Sequence, residues 1–388
     1  MTVAARPIGI NELIGLTILS HVSFAGARVG LTLTALHLQA STFTVGMILS
    51  LLAMLPMLLA IPGGRWVDRI GVRWPMIGGV ALVMTGVLLP LAWPSIGVLY
   101  VTAMLVGLGY LPFHLGAQKL VADIGSVEDR RHHYSLYAIG FSVSGFIGPT
   151  LVGFLIDAIG HRLAFGVLGM LSVATLTWLN LRRAALPDHG GGQVDTTASL
   201  RIWDLLRTPD LRRLYVVVAL ISSAWDVHQF LVPIYGARIG LSASGIGLIL
   251  GAFSVATLVV RLVVPLFLMN VSEWRVIMIA QSIAAGVYAF YPLFSTLESM
   301  LAMSFLLGLG LGASQPMTLS ILARSAPASR LGEATGLRMT LVNGTQTVLP
   351  GTFGALGGLL GVAPLFWAMA ALLAGGAGSL GRFLHRRG

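Results

Sequence analysis

One pattern constrains this chain more than any other: an apolar run of about twenty residues followed by a short turn, repeated twelve times. The runs fall near 10–36, 43–64, 74–93, 96–122, 134–157, 163–181, 214–236, 244–268, 276–294, 298–322, 333–358 and 363–381. Coiled as helices, such runs match the hydrocarbon thickness of a bilayer. Hydrocarbon offers no hydrogen bonds, so only helices and closed barrels can satisfy the backbone there. A barrel needs short segments of alternating polarity, which these continuous runs are not. Charged residues make up only 10% of the chain, where a soluble domain carries about 25%. The expected fold is therefore an all-α membrane protein of twelve transmembrane helices. The first run is too long for a signal peptide and has no cleavage site, so it is expected to remain as the first helix.

A net charge of +10 is compatible with a nucleic-acid partner, but the positions of the charges point elsewhere. Arginines crowd the termini and the loops after helices 2, 4, 6, 8 and 10, while the opposite side holds only Arg162 and Arg238. That bias places both termini in the cytoplasm. Arginine outnumbers lysine 23 to 1, the usage of a GC-rich bacterial genome, so the expected location is a bacterial inner membrane. The polar stretch between the two halves suits a linker, giving bundles over 1–182 and 213–388 joined by 183–212. The linker is too short for a catalytic domain. With no cysteine, P-loop, metal cluster or nucleophile elbow, neither an enzyme nor a metal or other cofactor is expected.

An offset of 201 residues superposes the two halves without a gap over several helices. Ser41 falls on Ser242, Gly46 on Gly247, Gly107 on Gly308, Gly109 on Gly310, Pro149 on Pro350 and Gly153 on Gly354. Glycine and proline fix backbone geometry, so their agreement implies two pseudo-symmetric six-helix bundles.

An ionisable side chain inside the membrane costs about 3 kcal/mol or more, so each one needs a partner or a wet cavity. The embedded set is His21 and Arg28 in helix 1, His114 in helix 4, Asp226 and His228 in helix 7, Arg261 in helix 8 and Arg338 in helix 11. His21 and Arg28 share one helical face, and Asp226 shares another with Gln229, while His228 points away. The repeat places His114 on Gln315 and Arg28 on Gln229. Arg28 reads either as an anchor for a carboxylate or phosphate or as an ion-pair partner of Asp226. Asp226, with His21 and His114, is the candidate set for moving protons. Gln315, Asn343 and Gln346 are placed to orient a solute. Arg261 and Arg338, near helix ends, are expected to snorkel to the interface.

Between helices 2 and 3 the chain reads Gly64-Arg65-Trp66-Val67-Asp68-Arg69-Ile70-Gly71-Val72-Arg73. This resembles the signature loop of the major facilitator superfamily, G-x-L-x-D-R-x-G-R-R, with Gly64, Asp68, Arg69, Gly71 and Arg73 matching and Trp66 and Val72 departing. Helix 5 carries Ser135, Ser144, Gly148, Pro149 and Gly153, a partial likeness to the antiporter motif of the twelve-helix drug exporters. Where the exporters have a helix 4 arginine four residues before a glycine, Ala103 precedes Gly107. The resemblance implies the superfamily fold, with helices 1, 4, 7 and 10 around a central cavity. It implies gating by the loop, with Asp68 facing the start of helix 11 around Gly332–Thr335 and Arg69 pairing with Asp123. Gly148 and Pro149 would shape helix 5.

Taken together, the expectation is a secondary transporter that moves a small organic solute by alternating access. Proton-coupled export leads; proton-coupled uptake of an organic anion is the alternative, and a non-transporting sensor on the same fold is a third reading. The midplane site would comprise His21, Arg28, His114, Asp226, Gln229 and Gln315, with Asn343 and Gln346. Protons and the lipid bilayer are the expected partners, nucleic acid is not, and the protein is expected to act as a monomer.

Overall fold

A computed structural model describes residues 8–126, 129–187, 206–267, 271–327 and 330–386. Twelve α-helices and no strand occur among them: α1 Ile10–His37, α2 Thr42–Ile70, α3 Arg73–Ala92 and α4 Ile96–Asp123 open the chain. A helical run over Arg130–Leu181 follows, broken at Gly160 into α5 (130–159) and α6 (161–181). The second half holds α7 Pro209–Arg238, α8 Ala243–Phe267, α9 Glu273–Phe290, α10 Leu297–Ser325, α11 Leu331–Leu360 and α12 Ala363–His385. Among the described residues, ten stretches are long and apolar enough to cross a membrane, the Gly160 run counting as one of them. Helix α11 is not among the ten; Arg338, Asn343, Gln346 and several threonines dilute its apolar face. Most of the expected linker, 188–205, lies outside the described residues.

The chain divides into two compact units. Unit 1 comprises 1–40, 51–196 and 242–247; unit 2 comprises 41–50, 197–241 and 248–388. Within each, the repeat positions found in the sequence are places where backbones touch. In unit 1 a side chain at Gly107 would collide with the Leu52 carbonyl, and in unit 2 one at Gly308 would collide with that of Phe253. Gly109 packs on the Gly79 carbonyl of α3 and Gly310 on the Ala280 carbonyl of α9. In unit 1, Gly247 lies on the Pro149 carbonyl and Gly153 on that of Ala243; in unit 2, Gly46 lies on the Pro350 carbonyl and Gly354 on that of Thr42. Every one of these contacts has its counterpart 201 residues away.

The helix ends repeat as well. Ser41 Oγ accepts from the Thr44 amide at 3.1 Å, and Ser242 Oγ from the Gly245 amide at 3.1 Å. Ser95 and Thr296 cap α4 and α10 in the same manner, each at 3.4 Å. Such caps satisfy amides that the first helical turn leaves unpaired. Gly160 (φ 82°, ψ 164°) and Gly361 (φ 84°, ψ 176°) mark the α5–α6 and α11–α12 corners. That conformation is open essentially to glycine alone.

Candidate functional site

Within unit 1, partly exposed stripes of α1 and α4 meet a stripe of α5 on which Phe141 is partly exposed and Tyr137 and Ser144 are buried. Helix α1 contributes His21, Phe24 and Arg28, spaced so that they share a face, while their neighbours Val22, Ser23, Ala27 and Val29 are buried. Helix α4 contributes Tyr110, His114 and Gln118 at successive turns, and α5 contributes Tyr137, Phe141 and Ser144. The rings interlock. Phe24 stacks on Tyr110 with centroids 4.1 Å apart, and Phe141 lies 4.5 Å from His21, 5.4 Å from His114 and 5.0 Å from Tyr137.

Both histidines are fixed by hydrogen bonds. His21 Nδ1 lies 2.6 Å from Ser144 Oγ, and the serine hydroxyl is also 2.8 Å from the Gly140 carbonyl. When that hydroxyl donates to the carbonyl, His21 Nδ1–H donates to the serine oxygen. The Gln118 amide meets His114 Nε2 at 2.9 Å, and Tyr137 Oη meets Nδ1 at 3.3 Å. The Tyr110 hydroxyl is buried and has no hydrogen-bond partner among the described residues.

Unit 2 places its titratable groups deeper. Asp226 is 2% exposed, and the Thr345 hydroxyl of α11 donates to its Oδ2 at 2.9 Å. Thr345 also lies 2.8 Å from the Val342 carbonyl. This geometry serves both charge states of the acid. The threonine donates to an ionised Asp226; a protonated Asp226 donates to the threonine, which then turns to Val342. His228 is fully buried, bonded to Ser304 at 2.7 Å and stacked on Phe253 at 4.5 Å, which is a packing role. Gln229, Asn343 and Gln346 are partly buried and Gln315 is exposed.

One expectation for the helix-end arginines needs correction. Arg261 Nη2 donates to the exposed Gln315 Oε1 at 2.8 Å. Arg338 is only 9% exposed, so it is a buried charge and not a snorkelling one.

The signature loop is built for a turn and a tether. Gly71 has φ 80°, the left-handed region that glycine enters without strain. Arg73 Nε and Nη2 both donate to the Leu186 carbonyl, at 3.0 and 2.8 Å, and the Pro187 carbonyl accepts from the Val72 and Arg73 amides. Asp68 pairs with Lys119 of α4 at 2.9 Å. Arg69 and Asp123 are exposed and form no ion pair with each other among the described residues, so that expected contact is absent. The same end of unit 1 is held by Glu12 and Arg182, which meet at 2.7 Å and 3.2 Å. The hydrogen bond to Glu12 raises the Arg182 pKa above its usual value. Gly148 packs against Ala25 and Gly26 of α1, and the Pro149 carbonyl receives Gly247.

Sequence patterns flagged His21, His114 and Asp226 but passed over Phe24, Tyr110, Tyr137 and Phe141, because aromatic residues at helical spacing read as ordinary core. The hydroxyl partners do carry a sequence signal: Ser144 and Thr345 are related by the repeat offset.

Membrane-length helices in a twofold repeat, with polar groups inside each bundle, define a polytopic membrane transporter. The sequence profile of the Major Facilitator Superfamily matches residues 13–303 and 214–387, and the chain belongs to that family. "Multidrug resistance protein 2" of Bacillus subtilis (strain 168) is 22% identical over 371 residues, covering 92% of this chain and 90% of the relative. "Multidrug resistance protein 1" of the same organism is 27% identical over 149 residues, 38% of each chain. Among solved structures, a POT family transporter in complex with a thioalcohol-conjugated peptide superposes with TM-score 0.82 over 97% of this chain and 96% of that one, at 14% identity. Another, in complex with 5-aminolevulinic acid, gives 0.81 at 14% identity over the same shares. At such identities the likeness establishes the fold.

Proposed function

We propose that this protein is a proton-coupled secondary transporter that exports a small organic solute across a bacterial inner membrane by alternating access, with both termini in the cytoplasm and the monomer as the working unit. Two six-helix bundles, 1–182 and 213–388, would be the moving bodies, with 183–212 as their linker. The observation that carries the reading is Asp226, a carboxyl group at 2% exposure whose hydroxyl partner fits either protonation state. A buried charge is expensive, so a change in water access shifts the proton balance of such a group. His21 and His114 assist in unit 1. Gln229, Gln315, Asn343 and Gln346 orient the solute, while Gly64, Asp68, Arg69, Gly71, Arg73, Asp123, Gly148 and Pro149 belong to the gating elements. The long alignment with Multidrug resistance protein 2 supports export. Arg28 favours a second reading, uptake of an organic anion together with protons.

Proteoliposomes with a trapped pH-sensitive dye test the proposal. They are challenged with a panel of organic cations, neutral compounds and organic anions. At least one solute should move protons, outward from the solute-accepting side for antiport and with the solute for symport. Asp226→Asn should abolish the proton signal while leaving solute exchange at equal pH. Proton flux untouched by Asp226→Asn would overturn the role of that residue, and a silent panel would overturn proton coupling.

A further inference from the structure

Within unit 2, the ends of α7, α9 and α12 meet at one face of the membrane through three side chains. The Arg213 guanidinium of α7 lies 3.6 Å from the centre of the Phe383 ring of α12, and Trp274 of α9 meets that ring edge-on with centroids 5.8 Å apart. Each contact residue has an exposed arginine as its chain neighbour: Arg212 beside Arg213, Arg275 beside Trp274 and Arg382 beside Phe383. Arg386, one turn after Arg382, is exposed as well. The acids among the described residues of these helix ends are Asp210 and Glu273, and each already has a cation, Arg213 at 3.3 Å and Arg324 at 2.6 Å. Arg212, Arg275, Arg382 and Arg386 form no ion pair among the described residues. Like charges gathered in this way repel one another, so packing alone does not favour them.

The repeat shows that the scaffold does not need these charges. Arg212 falls on Asn11, Arg275 on Trp74, Arg382 on Leu181 and Arg386 on Ala185, none of them charged. The Arg213–Phe383 contact falls on the Glu12–Arg182 ion pair, so unit 1 closes the same junction with charges that cancel. Helix α12 carries the difference on into the hydrocarbon. Arg386, Arg382, Gly378 and Ala374 recur every fourth residue and are all exposed. A Cβ added at Gly378, or at Gly375 beside it, would meet no atom within 4 Å. The matching line of α6 ends in Ala185, Leu181, Thr177 and Val173, bulky where α12 is bare. Two guanidiniums followed by a shallow apolar track have the order of a phospholipid, headgroup first and chain behind it.

We propose that this corner of unit 2 is a binding site for an anionic phospholipid with two phosphates, held by Arg212, Arg275, Arg382 and Arg386 and with one acyl chain along the bare face of α12. The site is independent of the transport reading above and holds for any activity of the chain. A guanidinium fork matches a phosphate in two parallel hydrogen bonds, and four forks match two phosphates. Basic pockets between transmembrane helices suit such headgroups, and Trp274 lies at the depth where indoles favour the interface. A zwitterionic headgroup brings an ammonium that the arginines repel. A soluble phosphate satisfies the arginines but leaves the track of α12 empty.

Titrations of the full-length protein in uncharged detergent, read by native mass spectrometry, test the site with four probes: tetraoleoyl cardiolipin, dioleoyl phosphatidylglycerol, dioleoyl phosphatidylcholine and pyrophosphate. Cardiolipin should bind with a Kd about tenfold below that of phosphatidylglycerol, and phosphatidylcholine more weakly than either. Arg212→Gln, Arg275→Gln, Arg382→Gln and Arg386→Gln should each raise the cardiolipin Kd about fivefold. Arg183→Gln, on the equivalent end of unit 1, should leave it unchanged. Because the four arginines are exposed, each lipid-free variant should melt at the wild-type temperature or above, which separates lost binding from misfolding. Gly378→Leu keeps every charge and fills the track, so it should weaken cardiolipin as well. Equal binding of cardiolipin and phosphatidylglycerol overturns the two-phosphate assignment, and equal binding of phosphatidylcholine overturns the site. Displacement of cardiolipin by an equal concentration of pyrophosphate makes the ligand a soluble phosphate and overturns the lipid. A loss in Arg183→Gln as large as in Arg382→Gln overturns the location, and wild-type binding by Gly378→Leu overturns the place of the chain.

Discussion

Ser144 in α5 and Thr345 in α11 occupy the same position of the repeat, and each directs its hydroxyl to an embedded titratable group. Ser144 meets the His21 imidazole at 2.6 Å; Thr345 meets the Asp226 carboxyl at 2.9 Å. Both hydroxyls have a backbone carbonyl of their own helix as the second partner, Gly140 in one case and Val342 in the other. The scaffold therefore supplies one device twice, a hydroxyl able to donate or accept, and the two units use it on groups of different chemistry. Around His21 the neighbours are aromatic and partly open. Around Asp226 they are closed, with Tyr288 bonded to the Ala224 carbonyl. The comparison separates a half whose titratable group has partly open aromatic neighbours from a half whose titratable group is closed in, on a common backbone.

The largest effects should come from breaking what the halves share. Gly46→Leu and Gly247→Leu each force a side chain into a proline carbonyl, of Pro350 and Pro149 respectively. Backbone cannot yield as a flexible side chain can, so each should lose about 3 kcal/mol or more and most of the folded protein. Gly64→Leu, where an added carbon meets nothing within 4 Å, is the control. Monodisperse yield in gel filtration measures all three. If either repeat glycine tolerates leucine while its partner does not, the two crossings are not equivalent.

Next in size is the difference between the two hydroxyls. Thr345→Val removes a bond to a group able to carry charge and should cost about 2 kcal/mol; Ser144→Ala removes a bond to an imidazole and should cost about 1 kcal/mol. Thermal unfolding gives both values. In transport, Thr345→Val should impair proton coupling, and Ser144→Ala should leave it intact. The reverse order would place the proton on His21.

How far the sequence reaches is visible in the same residues. Helix number and the repeat register were legible because apolar length and the placement of glycine and proline act on the backbone directly. His21, Arg28 and Asp226 stood out because a polar group among apolar neighbours is costly wherever it lies. Partner choice was not legible. Lys119 reaches Asp68 across a helix pair, and nothing local marks it as a partner. Arg338 lies only a few residues from its helix start, as a snorkelling residue would, yet it is buried. Tyr110 and Phe141 carry the helical spacing of any core residue; only the packing of three helices distinguishes a lined face from a filled one.

A smaller effect tests where the repeat is broken. Asp157 at the end of α5 accepts from the Ala243 amide at 3.1 Å and the Ser244 amide at 2.8 Å, adding a carboxylate to the first turn of α8 within unit 1. Its repeat partner is Gly358, beside Thr42 at the first turn of α2 in unit 2. A carboxylate satisfies orphan amides and favours the positive end of the helix. Asp157→Ala should therefore destabilise by about 1 kcal/mol, and Gly358→Ala should be close to neutral. Calorimetric unfolding of the two variants against wild type decides it. Equal losses would mean that the carboxylate adds nothing to the Ser242 cap.

The smallest expected effect is a gain. Gln39, in the turn before α2, has φ 59°, and it is the only non-glycine with positive φ among the described residues. Its repeat partner is Gly240, at φ 80° in the turn before α8. The second half thus holds the residue that this conformation favours, and the first half holds one that bears the clash of a side chain with its own backbone. A left-handed residue with a Cβ is disfavoured by about 1 kcal/mol, and part of that is returned as chain entropy when glycine replaces it. Gln39→Gly should therefore stabilise by about 0.5 kcal/mol, while Gly240→Gln should destabilise by a similar or larger amount. Opposite signs from mirror substitutions would show that the turns, like the helix crossings, follow one backbone plan. Loss of stability in both would mean that the glutamine side chain contributes more to its turn than glycine could restore.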